Sequence, residues 1–155
     1  IATLNVKAAE AAVLFETVYR SVSLALANEL ATLCEKTGVD YLAVQGLLSS
    51  SVEAFCHPKL DNFGSSFLLM LLEEAENHNV KLKIPQTALD SGEEIVKHGV
   101  ALVKEALKNC GKTIRRAKIA VLGVSQTRNM ADKPQSLLRK FAKILEKKGA
   151  KLSDC

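Results

Sequence analysis

The chain contains no tryptophan, and Phe and Tyr together make up 5% of its 155 residues. Only three prolines and eight glycines occur. The apolar residues are mostly Ala, Leu and Val, a composition that favours packed helices over a β-sandwich. The four cysteines include no CxxC pair and no regular spacing, which argues against both a disulfide framework and a zinc site. We therefore expect a mainly helical protein without a bound metal.

Long apolar runs are also missing, because charged residues interrupt every stretch before about 18 residues, the length needed to cross a bilayer. This predicts no membrane span. No secretory leader opens the sequence, and the cysteine pattern suits a reducing compartment, so we predict a cytoplasmic location. The chain begins at Ile1 and ends at Cys155 on the approach to a strand. We expect it to be a fragment of a longer protein.

Charge divides the sequence into two blocks. Residues 1–110 hold 9 basic and 14 acidic residues, net −5, whereas residues 111–155 hold 12 basic and 3 acidic residues, net +9. This shift predicts a helical domain at 1–112 and a second, incomplete α/β unit at 113–155. The basic block carries a single aromatic residue, Phe141, and no series of aromatic residues for base stacking, so nucleic-acid binding is not expected. Small-ligand binding through the basic half stays open.

The first element is a long helix from Val6 to Lys36, since no Pro or Gly interrupts this stretch. Asn5 is a candidate N-cap and Gly38 a natural C-terminal stop. The helix would be about 45 Å long, and its apolar positions go nearly all the way round. Such a helix is expected to be buried on most sides. It is either an ordinary central helix or a helix at a homodimer interface.

Shorter elements follow, separated by turn-forming residues. The last three form a β-α-β pattern that is cut short, and two parallel strands with one helix leave a sheet face uncovered. The predicted elements are a helix capped by Asp40 and ending at Leu48, a loop at 52–65, a helix from Ser65 or Ser66 to Asn77, a helix from Pro85 towards Asn109 with small residues at Gly92 and Gly99, a strand at 118–124, a helix at 134–148 and a strand from 150.

Several segments resemble the UDP-glucose/GDP-mannose dehydrogenase family, in order and over nearly the whole chain. The resemblance implies a dimerisation domain like that of 6-phosphogluconate dehydrogenase, built on the long central helix, followed by the start of a Rossmann-like UDP-sugar-binding domain. The segments are AEA at 9–11, LFE at 14–16, YR at 19–20, ALANEL at 25–30, CEK at 34–36, EEAE at 73–76, VALVKEAL at 100–107 and KIAVLG at 118–123, with Asn129 and Asp132 beyond.

Members of this family oxidise the primary alcohol of a nucleotide sugar to a carboxylate with NAD, through a covalent intermediate on a cysteine. The resemblance places that cysteine at Cys56 and an accompanying acid at Asp61. Asn129 and Asp132 follow the carboxyl end of the predicted strand, where α/β sheets bind ligands, so they are either contacts to a UDP-sugar or turn-forming residues. The resemblance also implies a homodimer formed through the helix from Val6 to Lys36, with candidate interface residues Phe15, Tyr19, Val22 and Leu26.

The sequence departs from the family pattern where the chemistry would occur. The Lys and Asn that stabilise oxyanion charge on the central helix fall on Val13 and Thr17, and loss of one such donor typically costs about two to three powers of ten in rate. The glycines before Cys56 are replaced by Glu53, Ala54 and Phe55. The family's Lys and Arg after the strand appear as Thr127 and Pro134, and Asp61 lies one residue late.

No GxGxxG motif for a dinucleotide occurs in the chain, so we expect no NAD bound to it. Cys56 is either a relic nucleophile or an ordinary loop thiol. The sequence therefore predicts a fragment or degenerate relative of a UDP-sugar 6-dehydrogenase that is inactive as this isolated chain. The alternative is a non-catalytic dimerisation module that keeps the fold for assembly.

Overall fold

The computed structural model describes residues 5–48, 56–60, 65–121 and 137–154. These residues are mainly helical, with one small parallel sheet, and the predicted fold class is confirmed. The elements in chain order are α1 (Val6–Thr37), α2 (Tyr41–Leu48), α3 (Ser65–Asn77), α4 (Lys83–Asn109), β1 (Lys118–Val121), α5 (Leu137–Lys147) and β2 (Lys151–Asp154).

Local capping explains the bounds of α1, which is one unbroken helix of 32 residues. The side chain of Asn5 accepts a hydrogen bond from the Lys7 amide at 3.0 Å, which satisfies a free N–H of the first turn. At the other end, Gly38 adopts a left-handed conformation with φ 71°, and its N–H donates to the Cys34 carbonyl. The prediction of a single long helix is confirmed, with its end one residue later, at Thr37.

The other elements follow the same local signals. The Asp40 carboxylate accepts from the Leu42 amide at 2.9 Å and caps α2. Pro85 lies in the first turn of α4, and Gly111, with φ 68°, follows its end. Of the predicted loop at 52–65, the structure describes residues 56–60, which form neither helix nor strand, and Ser65, which begins α3.

The chain divides into two compact units, and the first comprises Ile1–Lys59 with Phe63–Ser91. In this unit α1 packs on α2 and α3. Its buried apolar side chains come from one side of α1 and from the first turn of α3: Val18, Leu24, Ala27 and Leu68.

The second unit comprises Leu60–Asn62 with Gly92–Cys155. Its core is built around Leu145, which is fully buried, together with Val100 and Ile114. Strands β1 and β2 pair in parallel, with Lys118 opposite Lys151 at one end and Val121 opposite Asp154 at the other. The predicted β-α-β order is confirmed for the described parts of these elements.

Two glycines in α4 allow α5 to approach closely, as their small size predicted. A Cβ atom at Gly92 would lie 3.3 Å from Cδ1 of Leu137, and one at Gly99 would lie 3.3 Å from Cε2 of Phe141. The two compact units divide at Gly92, within α4. The domain boundary between residues 112 and 113, predicted from charge, stays a prediction.

Candidate functional site: the central helix and the Cys56 segment

Helix α1 presents two different faces. Its buried residues are Val18, Ser21, Leu24, Ala27 and Asn28. On the other side, large apolar residues are open to solvent in this chain: Phe15 is 62% exposed, Tyr19 68%, Leu26 51% and Leu33 56%. The sequence predicted burial on most sides, whereas among the described residues the buried side chains of α1 all lie on one side of the helix.

The exposed apolar residues of α1 form a continuous stripe. At 100° per residue, Phe15, Tyr19, Val22, Leu26 and Leu33 fall within about 60° of one another around the helix axis, and they extend over about 27 Å along it. We call these five residues the α1 ridge. Four of them are the predicted interface residues, of which Val22 is half-buried within the chain itself. The ridge is therefore wide enough and long enough to pack against another helix.

A second feature is the docking of the segment at 56–60, here called the Cys56 segment, onto α1 and α2. Asn28 is 8% exposed, and its side-chain amide makes two hydrogen bonds to the backbone of Lys59. Nδ2 donates to the Lys59 carbonyl at 3.2 Å, and the Lys59 amide donates to Oδ1 at 2.9 Å. Tyr41 adds a third bond, its hydroxyl donating to the Cys56 carbonyl at 3.0 Å. These bonds hold the segment to α1 at Lys59 and to α2 at Cys56.

The surroundings of Tyr41 bring two cysteines into the same region. Burial raises the pKa of Tyr41 above 10.0, and negative charge at Cys56 and at Cys34 would raise it further. Cys34 and Cys56 are both half-buried free thiols, whereas the side chain of His57, next to Cys56, is exposed. Tyr41 is therefore held neutral, as a hydrogen-bond donor to the segment that carries Cys56.

Asn28 and Tyr41 did not appear among the residues predicted from sequence. A usable signal existed for Asn28, because an amide on the buried face of an apolar helix needs hydrogen-bond partners. The other predicted residues, Asp61, Asn129 and Asp132, lie outside the described residues. Their relation to Cys56 stays a prediction.

The two α1 positions to which the resemblance assigns oxyanion-stabilising residues, Val13 and Thr17, carry no charge. Val13 is 58% exposed, and the Thr17 hydroxyl donates to the Val13 carbonyl one turn earlier at 2.8 Å. That hydroxyl is therefore used within the helix. Neither position offers a cationic or amide donor to a bound substrate.

Metal binding and membrane insertion find no support in the part of the chain that the structure describes. No three His, Cys, Asp or Glu side chains among the described residues are grouped so as to hold a metal ion. No described helix combines the length and the apolar character that crossing a bilayer requires.

Comparison with known proteins agrees with this architecture. The model of the central domain of the UDP-glucose/GDP-mannose dehydrogenase family matches residues 7–94. A UDP-glucose 6-dehydrogenase from Rhizobium meliloti (strain 1021) is 26% identical over 141 residues, which cover 87% of this chain and 32% of that relative.

Solved structures show the same fold. A UDP-D-ManNAc dehydrogenase from Pyrococcus horikoshii superposes with a TM-score of 0.75 at 24% identity, over 91% of this chain and 34% of its own. An NDP-N-acetyl-D-galactosaminuronic acid dehydrogenase from Methanosarcina mazei Go1 superposes with a TM-score of 0.78 at 22% identity, over 94% of this chain and 34% of its own. The chain thus spans about a third of the length of these relatives. It belongs to the UDP-glucose/GDP-mannose dehydrogenase family, and residues 7–94 match the central domain of that family.

Proposed function

We propose that this chain is the homodimerising central part of a nucleotide-sugar 6-dehydrogenase-type protein, acting in the cytoplasm, and that the chain by itself oxidises no sugar. The observation that carries the proposal is the exposed α1 ridge. Four large apolar side chains on one face of one helix are each more than half exposed. Contiguous apolar surface of this kind is typical of a protein interface.

A second copy of the chain is the partner we infer. A ridge paired with its own copy across a two-fold axis meets an identical apolar surface, so each side chain exposed on one copy is covered by the other. Phe15 and Tyr19 would contribute most, since aromatic residues bury large areas and dominate interface energies.

The proposal that the chain by itself oxidises no sugar rests on the side chains present at the site. Val13 and Thr17 supply no charged donor. NAD, which the family uses, does not fit the residues present: the eight glycines include no GxG pair, so the backbone offers no close approach to a pyrophosphate. Cys56 keeps the position of the family nucleophile, and Asp61 remains its candidate partner.

Sedimentation equilibrium at micromolar concentration tests the dimer. We expect a dimer for the 155-residue chain and a monomer for Tyr19→Glu and Leu26→Glu, with unchanged helix content because both side chains are exposed. Val13→Glu is a matched control, since Val13 is equally exposed but lies on the opposite side of α1. A monomeric parent chain, or a control that dissociates as readily as the ridge variants, would refute the ridge as the interface.

A direct assay tests the absence of catalysis. The chain, mixed with NAD and UDP-glucose, is expected to form NADH no faster than its Cys56→Ser variant. NADH formation that exceeds that of the variant would contradict the proposal.

A second candidate function is that of a pure assembly module that binds no nucleotide sugar. The lack of a charged donor at Val13 and Thr17 favours it. Thermal melting separates the two. A retained UDP-sugar site, with Asn129 and Asp132 as candidate contacts, would add about 2.7 kcal/mol of stability at a hundredfold excess of UDP-glucose over its Kd. No shift in Tm at millimolar UDP-glucose would favour the assembly module.

A further inference from the structure

Both strands of the small sheet begin among basic residues. Arg115, Arg116 and Lys118 lead into β1, while Lys148 and Lys151 lead into β2, and all five side chains are exposed. We call these five residues the basic edge. It lies at the amino ends of both strands.

Backbone hydrogen bonds hold the two basic segments together. The Arg116 amide donates to the Gly149 carbonyl at 2.7 Å, and the Lys151 amide donates to the Ala117 carbonyl at 2.7 Å. Gly149 packs so closely that a Cβ atom there would lie 3.2 Å from Cγ of Arg115. The basic edge is therefore a fixed part of the fold, assembled from residues more than 30 positions apart.

The arrangement of charge at this edge is unfavourable in the absence of an anion. Lys118 and Lys151 are direct partners in the parallel register, and like charges directly opposite each other on neighbouring strands repel. Within the described part of the chain, the five residues form no ion pair at 4.0 Å or less. The acid nearest to them in sequence, Glu146, is itself exposed.

Arg116 adds an independent sign of constraint. Its φ is 66°, a left-handed conformation that is uncommon for a long side chain and that glycine would adopt without cost. Backbone strain of this kind persists where the surroundings fix it and often accompanies a functional site. This backbone conformation occurs at the residue whose amide donates to the Gly149 carbonyl.

We propose that the basic edge binds a compact multivalent phosphate, such as a diphosphate or triphosphate chain. Arginine pairs with phosphate oxygens in a fork, and lysine supplies a point charge. The two lysines stand on strands about 4.8 Å apart, so they can contact neighbouring phosphate groups of one chain. A compact anion fits better than a nucleic acid, because the single aromatic residue from 111 to 155, Phe141, packs against the hydrophobic core and is not presented for stacking on bases. The phosphate proposal does not rest on the proposed nucleotide-sugar function.

Isothermal titration of the 155-residue chain with sodium tripolyphosphate, at about 50 mM salt, tests the proposal because such binding weakens steeply with ionic strength. We expect one site per chain and at least tenfold weaker binding of orthophosphate, which can contact fewer of the five residues. Equal affinity for the two anions would overturn the proposal. Duplex DNA that binds more tightly than tripolyphosphate, with the same dependence on the basic edge, would overturn it in favour of a nucleic-acid surface.

Two variants locate the binding. Arg116→Gly removes one charge where the backbone already suits glycine. It should therefore keep or raise Tm, while the affinity for tripolyphosphate falls about tenfold or more. Lys151→Gln should weaken binding similarly and relieve the repulsion from Lys118. Lys104→Gln is the control, because it removes the same charge from an exposed position on α4. Unchanged affinity in both edge variants, or an equal loss in the control, would refute the assignment.

Discussion

The hydrogen bonds of Asn28 allow a quantitative test of how the Cys56 segment is held. The change is Asn28→Ala, which removes both bonds to the Lys59 backbone. Each is a bond between neutral groups, and such a bond contributes about 1 kcal/mol net. Removal of the amide also leaves a gap on the buried face of α1. We therefore expect a loss of about 2–3 kcal/mol in the free energy of unfolding.

Urea unfolding followed by circular dichroism measures this loss directly. The urea concentration at the midpoint should fall, while the dependence of the unfolding free energy on urea stays unchanged. In thermal melting the same loss corresponds to about 4–12 °C in Tm for a chain of this size. A local measurement adds specificity. Amide exchange at Lys59 should accelerate, because its N–H donates to Asn28 in the parent chain.

Ser23→Ala is the matched control on the same helix. Its hydroxyl donates to the Tyr19 carbonyl within α1 at 2.8 Å, so we expect a change within about 0.5 kcal/mol. The account of Asn28 would be wrong if Asn28→Ala cost no more than this control. It would also be wrong if exchange at Lys59 kept the parent rate.

Three further predictions concern charge and packing. Burial raises the pKa of Tyr41 above its usual value of 10.0. Its contribution to stability is therefore complete below pH 10 and is lost as the pH rises through the higher folded pKa, so Tyr41→Phe should flatten the decline in unfolding free energy above pH 10. The Lys140 ammonium donates to Glu93 at 2.6 Å and lowers the pKa of that carboxyl, so this pair stabilises the fold above about pH 4.5 and is lost in acid. Lys140→Gln should bring the Glu93 pKa, followed by NMR titration, back towards 4.5. A Cβ atom added at Gly46 would meet no atom of the described residues within 4 Å, so Gly46→Ala should raise stability by about 0.5–1 kcal/mol. Gly99→Val should lower stability by about 1–3 kcal/mol through overpacking. A Tm shift of the opposite sign in either variant would refute the packing described for that glycine.

The bounds of α1 and α2 were predictable because local residues set them. Asn5 and Gly38 define α1 through hydrogen bonds and a backbone conformation that involve only neighbouring residues. Asp40 does the same for α2. The order of β1, α5 and β2 was predictable because a short apolar run, an amphipathic stretch and a glycine stop follow one another in sequence.

The contacts of the Cys56 segment were not predictable, since they join residues far apart in the chain. Asn28 and Lys59 are separated by 31 positions, and nothing in the sequence near Lys59 marks its backbone as a partner. Apolar periodicity also failed to show which side of α1 the chain covers. It identifies residues that avoid water, but a neighbour in the same chain and a second copy produce the same pattern.

Within α1, Asn28 takes part in the fold, whereas the two positions to which the resemblance assigns chemistry offer no charged donor. Asn28 keeps two bonds to the Cys56 segment, whereas Val13 and Thr17 stand where the resemblance places Lys and Asn. Val13 is more than half exposed, so a Lys there would cost the fold little. Stability alone therefore gives no reason for Val at this position. A helix that keeps its buried amide and its apolar ridge, but not its charged donor, is what a role in assembly requires.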